Sequence, residues 1–394
     1  MRTKKAIYLD HAATTPVDPQ VRQIMLPFFS KHYANPSALY KEALIVSGAI
    51  NDARRKVADV LHTNPDSILF TSGGTESNNL AILGIAHKHI NQGKHIIVSA
   101  IEHHSVLYPL ESLEKDGWSV TKLPVDENGL VNVADVIKAI RAETVLISVM
   151  YANNEIGTIE PIAEIGRQLL RYRKEKNTVY PYFHTDAAQA AGYLDLDVEK
   201  LHVDLMTVNG GKIYGPKGSG VLFVRRGVAI EPIMTGGTQE KGIRAGTENI
   251  PGIVGLGQAL KLVQKKQTVE NSRLRALSEF FFEKLRKILP DIRLNGLAIG
   301  DNRLPNNLNV VFDGVDGEAL VIYLDSRGIM CATGSACTAI SREPSHVLAA
   351  IGKNSAEILC SVRFTLGRET TKAQVITTIK AIAASLKMLK SDLK

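Results

Sequence analysis

Lys212 lies on a glycine-rich turn that directly follows an apolar segment typical of a buried strand. The turn reads Asn209-Gly210-Gly211-Lys212-Ile213. A lysine amine on such a turn is held in place and stays accessible, as a group that forms a Schiff base with a carbonyl cofactor must be. A phosphate-binding Walker loop would need Ser or Thr after the lysine, and Ile213 excludes it. For this segment alone, a surface lysine in an ordinary turn is the alternative.

An upstream segment combines a short apolar strand, a glycine turn and a helix start. The strand is predicted over residues 67–71, Gly73 and Gly74 form the turn, and the predicted helix opens at Thr75. Free N–H groups at a helix start, with the Thr75 hydroxyl, favour the binding of a phosphate. A capped helix start that binds no ligand is the alternative.

Apolar runs alternate with helical stretches through the first two thirds of the chain, which predicts a mostly parallel sheet with helices on both faces. Such sheets bind ligands at the carboxyl ends of their strands, where the polar clusters of this sequence also fall. Beyond about Gly255, long amphipathic helices over residues 271–289 and 371–390 surround a strand at 307–312. This change predicts a smaller second domain of mixed α/β type.

Composition excludes several classes of protein. With 394 residues, 44% hydrophobic and 22% charged, the chain is typical of a soluble globular protein of two domains. The net charge of +7 is spread over predicted helices and aromatic residues are few, so no direct binding of nucleic acid is expected. The N-terminus shows no signal peptide and no apolar stretch reaches membrane-spanning length, which predicts a cytosolic protein without a membrane anchor.

The three cysteines, Cys331, Cys337 and Cys360, are too few and too unevenly placed for a disulfide framework. No Cys-x-x-Cys pair occurs, and the adjacent His103 and His104 point different ways on any regular backbone. We therefore expect no metal site. Considered in isolation, each cysteine is more typical of packing than of chemistry.

The polar clusters at the predicted strand ends together match the needs of a pyridine cofactor that carries a phosphate and a phenolic oxygen. His103 supplies a flat group, Asp186 a carboxylate for the ring nitrogen, Gln189 a donor to the oxygen, and Lys212 an amine for the aldehyde. Taken singly, His103 is equally typical of an ordinary loop histidine, Asp186 of a helix cap and Gln189 of a surface amide. Their joint occurrence favours the cofactor site.

Further motifs extend this pattern over nearly the whole chain, in order: Tyr8 to Pro16, Asn35-Pro36-Ser37, Arg244 to Thr247, Gly334 to Thr338 and Ser361 to Arg368. With these motifs the sequence closely resembles the group I cysteine desulfurases, pyridoxal 5'-phosphate enzymes of the fold-type-I aminotransferase superfamily. The resemblance implies a large cofactor-binding domain over residues 15–260, with a mostly parallel seven-stranded sheet between helices. It implies a smaller α/β domain of residues 1–14 and 261–394, which carries the catalytic cysteine loop at about 331–345.

The resemblance also implies a role for each site residue. Lys212 forms the Schiff base, His103 stacks on the ring and moves protons, Asp186 pairs with the ring nitrogen, and Gln189 contacts the phenolic oxygen. The remaining assignments cover the phosphate and the substrate carboxylate. Gly74 and Thr75 hold the phosphate, Asn154 lies between the phenolic oxygen and the carboxylate, Arg363 clamps the carboxylate, and Thr247 reaches the phosphate of a neighbouring subunit. Asn209 stands where relatives carry Ser or Thr, and we expect phosphate binding here to rely more on Asn209, Thr75 and the helix start.

Cys337 lies in a run of small residues that ends at Pro344 and resembles the mobile catalytic loop of the group I enzymes. The implied reaction removes sulfur from L-cysteine, releases L-alanine and leaves a persulfide on Cys337. By the same resemblance the protein is a cytosolic homodimer that passes sulfur to an iron–sulfur scaffold or a tRNA-thiolation protein. Cys331 and Cys360 match no catalytic position and are interpreted as packing residues.

Two positions depart from the family pattern. Relatives usually carry His directly before the Schiff-base lysine and Ser or Thr three residues before it, where this chain has Gly211 and Asn209. Because the sequence ends soon after its last predicted helix, we expect no C-terminal extension of the kind that docks iron–sulfur scaffolds in some relatives. Two other functions stay open on the sequence: a selenocysteine lyase with the same site, and an inactive cofactor-bound partner protein.

Overall fold

The computed structural model of the protein describes residues 6–334 and 344–391. Its strands are β1 (Ile7–Tyr8), β2 (Ile68–Thr71), β3 (His95–Ser99), β4 (Ser119–Leu123), β5 (Thr144–Ser148), β6 (Tyr182–Asp186), β7 (Leu205–Asn209), β8 (Gly220–Val224), β9 (Arg293–Leu294), β10 (Asn307–Val311), β11 (Ile329–Met330) and β12 (Ser361–Thr365). Its helices are α1 (Pro19–Met25), α2 (Pro27–Ser30), α3 (Lys41–Leu61), α4 (Gly74–Lys88), α5 (His104–Lys115), α6 (Val133–Lys138), α7 (Ile162–Lys176), α8 (Val198–Leu201), α9 (Ile250–Ile288), α10 (Gly317–Asp325), α11 (His346–Ala350), α12 (Ser355–Leu359) and α13 (Lys372–Ser391).

Seven strands form the central sheet, in the order β2-β8-β7-β6-β5-β3-β4. β8 runs antiparallel to both of its neighbours, and the other neighbouring pairs are parallel. Because β2 and β7 are both antiparallel to β8, they run in the same direction as each other. β2, β3, β5, β6 and β7 therefore end at one edge of the sheet, and the predicted mostly parallel sheet is confirmed.

Both faces of this sheet are buried. Neighbouring residues on a strand point to opposite faces, and in β7 Leu205 packs with α4 and α5 while Met206 and Val208 pack with α3, α7 and α9. A strand covered on both faces carries apolar residues at successive positions. This packing explains the near-continuous apolar runs that predicted the strands.

The C-terminal third contains a second, smaller sheet in the antiparallel order β12-β10-β9, and β1 pairs in parallel with β11. α9 begins at Ile250, so the helix predicted over 271–289 is the second half of a longer one. Glycines lower helix propensity in its first half, but at Gly257 a Cβ atom would lie 2.9 Å from the carbonyl oxygen of Ala53 on α3. The predicted domain boundary at residue 260 falls inside α9, and the division itself stays a prediction.

Among the described residues, no helix combines the length and the apolar character needed to cross a membrane. In the same two ranges, no three His, Cys, Asp or Glu side chains are grouped as a metal ion would require.

Candidate active site

Lys212 ends a short 3₁₀ turn that begins directly after β7. The turn is capped by Asn209, whose Oδ1 accepts the backbone N–H of Gly211 at 3.0 Å. The Lys212 Nζ donates to the carbonyl oxygens of Ala12 and Ala13 at 2.7 and 2.5 Å. The N-terminal segment therefore holds the amine at the carboxyl edge of the sheet.

Gln189 lies beside this amine and contacts the same segment. It follows β6 by three residues, and its Nε2 donates to the carbonyl oxygen of Ala12 at 2.9 Å. Since Lys212 Nζ bonds the same oxygen, the two side chains converge on one backbone group. Sequence reasoning placed both residues in one site, and the structure brings them together.

Asp186 is the last residue of β6, and its side chain is buried. Its Oδ2 accepts a hydrogen bond from Asn78 Nδ2 at 2.7 Å, and its Oδ1 accepts the backbone N–H of Ala188 at 2.8 Å. Both partners donate, as suits a carboxylate. A fixed negative charge therefore lies at the strand end where the sequence predicted it.

His103 is the N-cap residue of α5. Its Nδ1 accepts the backbone N–H of Ser105 at 3.1 Å and lies 2.8 Å from the Ser105 hydroxyl oxygen. Burial lowers the pKa of His103, and the nearby charge of Asp186 opposes this shift. Three further groups lower the pKa in the same direction as burial: Lys212, His104 and His346.

The first turn of α4 contacts Asn209 from the neighbouring 3₁₀ turn. The N-cap residue Gly73 has φ of 155°, a region that side chains rarely adopt, and the helix begins at Gly74 instead of the predicted Thr75. A Cβ atom on Gly74 would lie 3.3 Å from Asn209 Nδ2. Because Asn209 Oδ1 faces Gly211, its Nδ2 is the group turned toward the helix start. The amide nitrogen and the first N–H groups of α4 thus form a cradle for an anion.

Arg363 reaches the same region from β12 in the small sheet and is almost completely buried. Its Nη2 donates to Asp10 Oδ1 at 2.8 Å, and its Nη1 donates to the carbonyl oxygen of Asn154 at 3.1 Å. Within the described ranges, its buried Nε has no hydrogen-bond partner. The guanidinium is therefore fixed in orientation, and its Nε–H can still donate a hydrogen bond to a ligand.

These groups line one cleft of about 190 Å³. It is lined by Ala12, Ala13, Gly74, Thr75, Asn78, His103, Ser105, Met150, Ala152, Asn154, Asp186, Ala188, Gln189, Asn209, Lys212 and Arg363. Every predicted site residue in the described ranges is among them except Thr247. The expectation of a single site is met by residues from both ends of the chain.

Thr247 is exposed and lies outside this cleft. Cys337 lies outside the described residues, but the residues on either side of that gap both lie beside Glu155. The Ser345 hydroxyl donates to Glu155 Oε2 at 2.6 Å, and a Cβ atom on Gly334 would lie 3.4 Å from the same oxygen. Glu155 follows the cleft residue Asn154, so Gly334 and Ser345 both lie next to the cleft.

Sequence reasoning gave no role to Asp10, Asn78 or Ser105. Asn78 lies one helical turn after Gly74, on the face of α4 that meets β6, and this spacing is the signal that could have identified it. Asp10 is the second residue after β1, and Asp186 ends β6, so the rule of polar residues at strand ends could have found Asp10. Ser105 gave no signal, because small polar residues are common in the first turn of a helix.

Cys331 lies near the Asp10–Arg363 pair. Burial raises the pKa of its thiol from 9.0 to about 12, and the charge of Asp10 adds to the shift. A thiol with so high a pKa is almost entirely in its unreactive form at neutral pH. This supports the interpretation of Cys331 as a packing residue.

The fold and cleft define a class of enzyme built on a mostly parallel sheet, with a lysine and a carboxylate at adjacent strand ends. Comparison with known proteins then gives the family. The model of the aminotransferase class-V family matches residues 7–377, and the chain belongs to that family.

Relatives resemble the chain over almost its full length. It is 45% identical to the cysteine desulfurase IscS of Dictyoglomus turgidum, over 98% of this chain and 96% of that protein. It is 46% identical to the IscS of Methanosarcina thermophila, over 98% of this chain and 93% of that protein.

Solved structures agree with these relatives. A NifS-like protein superposes with a TM-score of 0.90 at 32% identity, over 98% of this chain and 100% of that one. A protein described as SspA in complex with cysteine superposes with a TM-score of 0.77 at 38% identity, over 91% of this chain and 98% of that one.

Proposed function

We propose that this protein is an L-cysteine desulfurase that uses pyridoxal 5'-phosphate held on Lys212 and carries the released sulfur on Cys337. The observation that supports this most directly is the convergence of Lys212, Asp186, His103 and Arg363 on one cleft, at the edge where the parallel strands of the sheet end. The names of the IscS relatives and of the cysteine complex support the same substrate.

The residues of the cleft fit this cofactor. A pyridine nitrogen needs a carboxylate, which Asp186 supplies, and an aldehyde needs an amine, which Lys212 supplies. The cradle between Asn209 and the first turn of α4 presents N–H donors to the phosphate, at a place where a Cβ on Gly74 would crowd the Asn209 amide. When bound, the cofactor supplies an electron sink that weakens bonds to the substrate α-carbon.

Arg363 and Asn154 select the substrate. A guanidinium that is already oriented by Asp10 and by the Asn154 carbonyl binds a carboxylate without ordering a flexible side chain first. Lys212 accepts the substrate α-proton, because its amine and the ring-binding Asp186 lie at the ends of adjacent strands. His103 covers the cleft at the start of α5.

Cys337 takes the sulfur. The overall change is balanced: the C–S bond of cysteine breaks, an S–S bond forms on Cys337, and cysteine plus the enzyme thiol become alanine plus the enzyme persulfide. In the sequence Cys337 is three residues beyond Gly334, and Gly334 lies beside Glu155, the neighbour of the cleft residue Asn154.

The protein acts as a homodimer whose two copies share the phosphate site. Large apolar side chains are exposed along one short segment before and at the start of α3: Leu26, Phe29, Tyr33, Leu39, Tyr40, Leu44 and Ile45. An exposed apolar cluster of this size is typical of an interface. A surface groove joins Pro36 to Glu248, so Thr247 lies beside this cluster and can serve the cleft of a second copy.

Light scattering tests the dimer. Leu39→Asp should produce monomers that lose cofactor, because Leu39 is 97% exposed in one chain and a buried charge would oppose association. Val269→Asp is the matched control, since Val269 is also exposed but lies on α9 away from the cluster. A Leu39→Asp protein that stays dimeric would refute this interface.

Sulfur from Cys337 passes to an acceptor protein of iron–sulfur cluster assembly or tRNA thiolation. The activity itself is tested by incubating the purified protein with L-cysteine and dithiothreitol and measuring alanine and sulfide together. Equal amounts of both are expected, and none from Lys212→Ala. Lys217→Ala is the matched control, because Lys217 also donates to the N-terminal segment, at the Thr15 carbonyl, and does not line the cleft. Failure to form alanine would refute the function.

A further inference from the structure

His103, Ser105, Asn78 and Asp186 form a continuous chain of hydrogen bonds across the cleft. Asn78 Nδ2 lies 2.7 Å from Asp186 Oδ2 and 2.8 Å from the Ser105 hydroxyl oxygen. That hydroxyl lies 2.8 Å from Nδ1 of His103, which also receives the backbone N–H of Ser105 at 3.1 Å. Asn78 and Ser105 are both buried, so no solvent competes for these bonds.

The positions of the hydrogens follow from the types of the groups. The Asp186 carboxylate only accepts, so the Asn78 amide must present its nitrogen and both of its hydrogens are used. The Ser105 oxygen receives one of them, which directs its own hydrogen toward His103. A backbone N–H can only donate. Nδ1 of His103 therefore faces two donors and has no room for a proton of its own.

The charges around His103 act in the same sense. From α5 and α11, His104 and His346 face the ring, and Lys212 faces it from the turn after β7. Burial and these three groups lower the pKa of His103, and Asp186 is the group that opposes them. Burial and these charges therefore favour the neutral imidazole, and the two donors at Nδ1 direct its one proton to Nε2.

We propose that Asn78 and Ser105 are positioning residues that fix His103 as a neutral imidazole protonated on Nε2, so that His103 donates a hydrogen bond during turnover and takes up no proton. This differs from the expectation that His103 moves protons. A neutral histidine that polarises its partner is a known device in other enzymes. The task of accepting the substrate α-proton then belongs to Lys212 alone. The inference rests on the proposed function only for this last consequence.

Nitrogen NMR of the whole protein with pyridoxal 5'-phosphate bound, ¹⁵N-labelled in its histidine rings, reads the tautomer directly. The His103 signals are assigned by their loss in His103→Gln. The expected pattern is a bare Nδ1 and a protonated Nε2 from pH 6.5 to 8.5. Ser105→Ala removes one of the two donors, and the proton affinity of His103 should rise about three- to tenfold, the effect of one ordinary hydrogen bond.

Two further variants separate this role from general stability. Ser105→Thr keeps the hydroxyl and should restore the parent spectrum. Asn79→Ala changes the next residue of α4, whose Nδ2 donates to backbone oxygens of Thr75 and Ser105, and should leave the His103 signals unchanged.

A protonated Nδ1 in the parent protein, or an imidazolium at pH 7, would overturn the inference. So would Ser105→Ala spectra identical to the parent. These outcomes do not depend on desulfurase activity, so an inactive protein with the expected tautomer would contradict the proposed function alone.

Discussion

Replacement of Asn209 by alanine separates two contributions that the structure assigns to its side chain. The Oδ1 atom caps the 3₁₀ turn through the Gly211 N–H at 3.0 Å, and the Nδ2 atom faces the first turn of α4. Loss of the cap costs about 1 kcal/mol of folding stability. Loss of a donor to a charged phosphate costs about 1.5–3 kcal/mol of binding, or roughly a 10- to 150-fold rise in the cofactor Kd.

Asn64 provides the control for the first contribution. It caps the 3₁₀ turn Pro65–Ser67 in the same way, with its Oδ1 accepting the N–H of Asp66 at 2.9 Å, and it does not line the cleft. Asn64→Ala should therefore lose about the same stability as Asn209→Ala and bind the cofactor as the parent does.

The assay follows cofactor release by absorbance during dilution, beside denaturant unfolding of each apoprotein. Asn209→Ala and Asn64→Ala should unfold alike and differ more than tenfold in Kd. Equal cofactor Kd values for the two variants would refute the assignment of Asn209 Nδ2 to the phosphate.

Three other predictions concern different parts of the molecule. The double variant Asn209→Ser, Gly211→His should bind the cofactor more tightly than the parent, since a Cβ on Gly211 meets nothing closer than 3.5 Å; an unchanged release rate would show that Asn209 already compensates. Glu240→Ala should lose about 3–5 kcal/mol of stability, because it leaves Arg54 and the Phe70 N–H without their buried partner. Lys241→Ala is the control and should change stability by less than about 1 kcal/mol, since its ion pair with Asp66 is exposed. Denaturant unfolding of the two variants measures both effects. Burial raises the pKa of Glu160 from 4.5 to about 8, so its contribution to stability is complete below pH 4.5 and is lost as pH rises through 8. Glu160→Gln should match the parent near pH 4.5 and exceed it at pH 8 by up to about 4 kcal/mol, and parallel stability curves across that range would contradict the buried protonated carboxyl.

Residues at strand ends were predictable because one pattern identifies both the element and its edge. Lys212 lies on the turn that follows β7 and Asp186 is the last residue of β6, and parallel strands bring such ends together. Residues that act from helix faces were harder. Asn78 and Ser105 meet only because α4 and α5 pack side by side. The spacing of residues along each helix does not show which face of that helix meets which strand.

No local sequence pattern could predict the contacts between the two ends of the chain. Asp10 and Arg363 are 353 residues apart, and Arg363 interrupts an apolar strand in a way that only the family resemblance explained. The start of α9 was missed because its glycines, which let it approach α3, mask the helical period. Glycine occurs at these positions of α9 because the helix packs closely against α3, although glycine lowers helix propensity.

The proposed transfer of sulfur to Cys337 is tested most directly by locating the sulfur on the protein during turnover. Protein mixed with L-cysteine and quenched with an alkylating agent is digested, and each cysteine peptide is weighed by mass spectrometry. Fragmentation of the peptide that carries both Cys331 and Cys337 should locate one extra sulfur on Cys337, and neither Cys331 nor Cys360 should carry any. Cys337→Ser should release almost no sulfide, whereas Cys360→Ser should release it at the parent rate. Sulfide release by Cys337→Ser near the parent rate, or sulfur on another cysteine, would contradict the central claim.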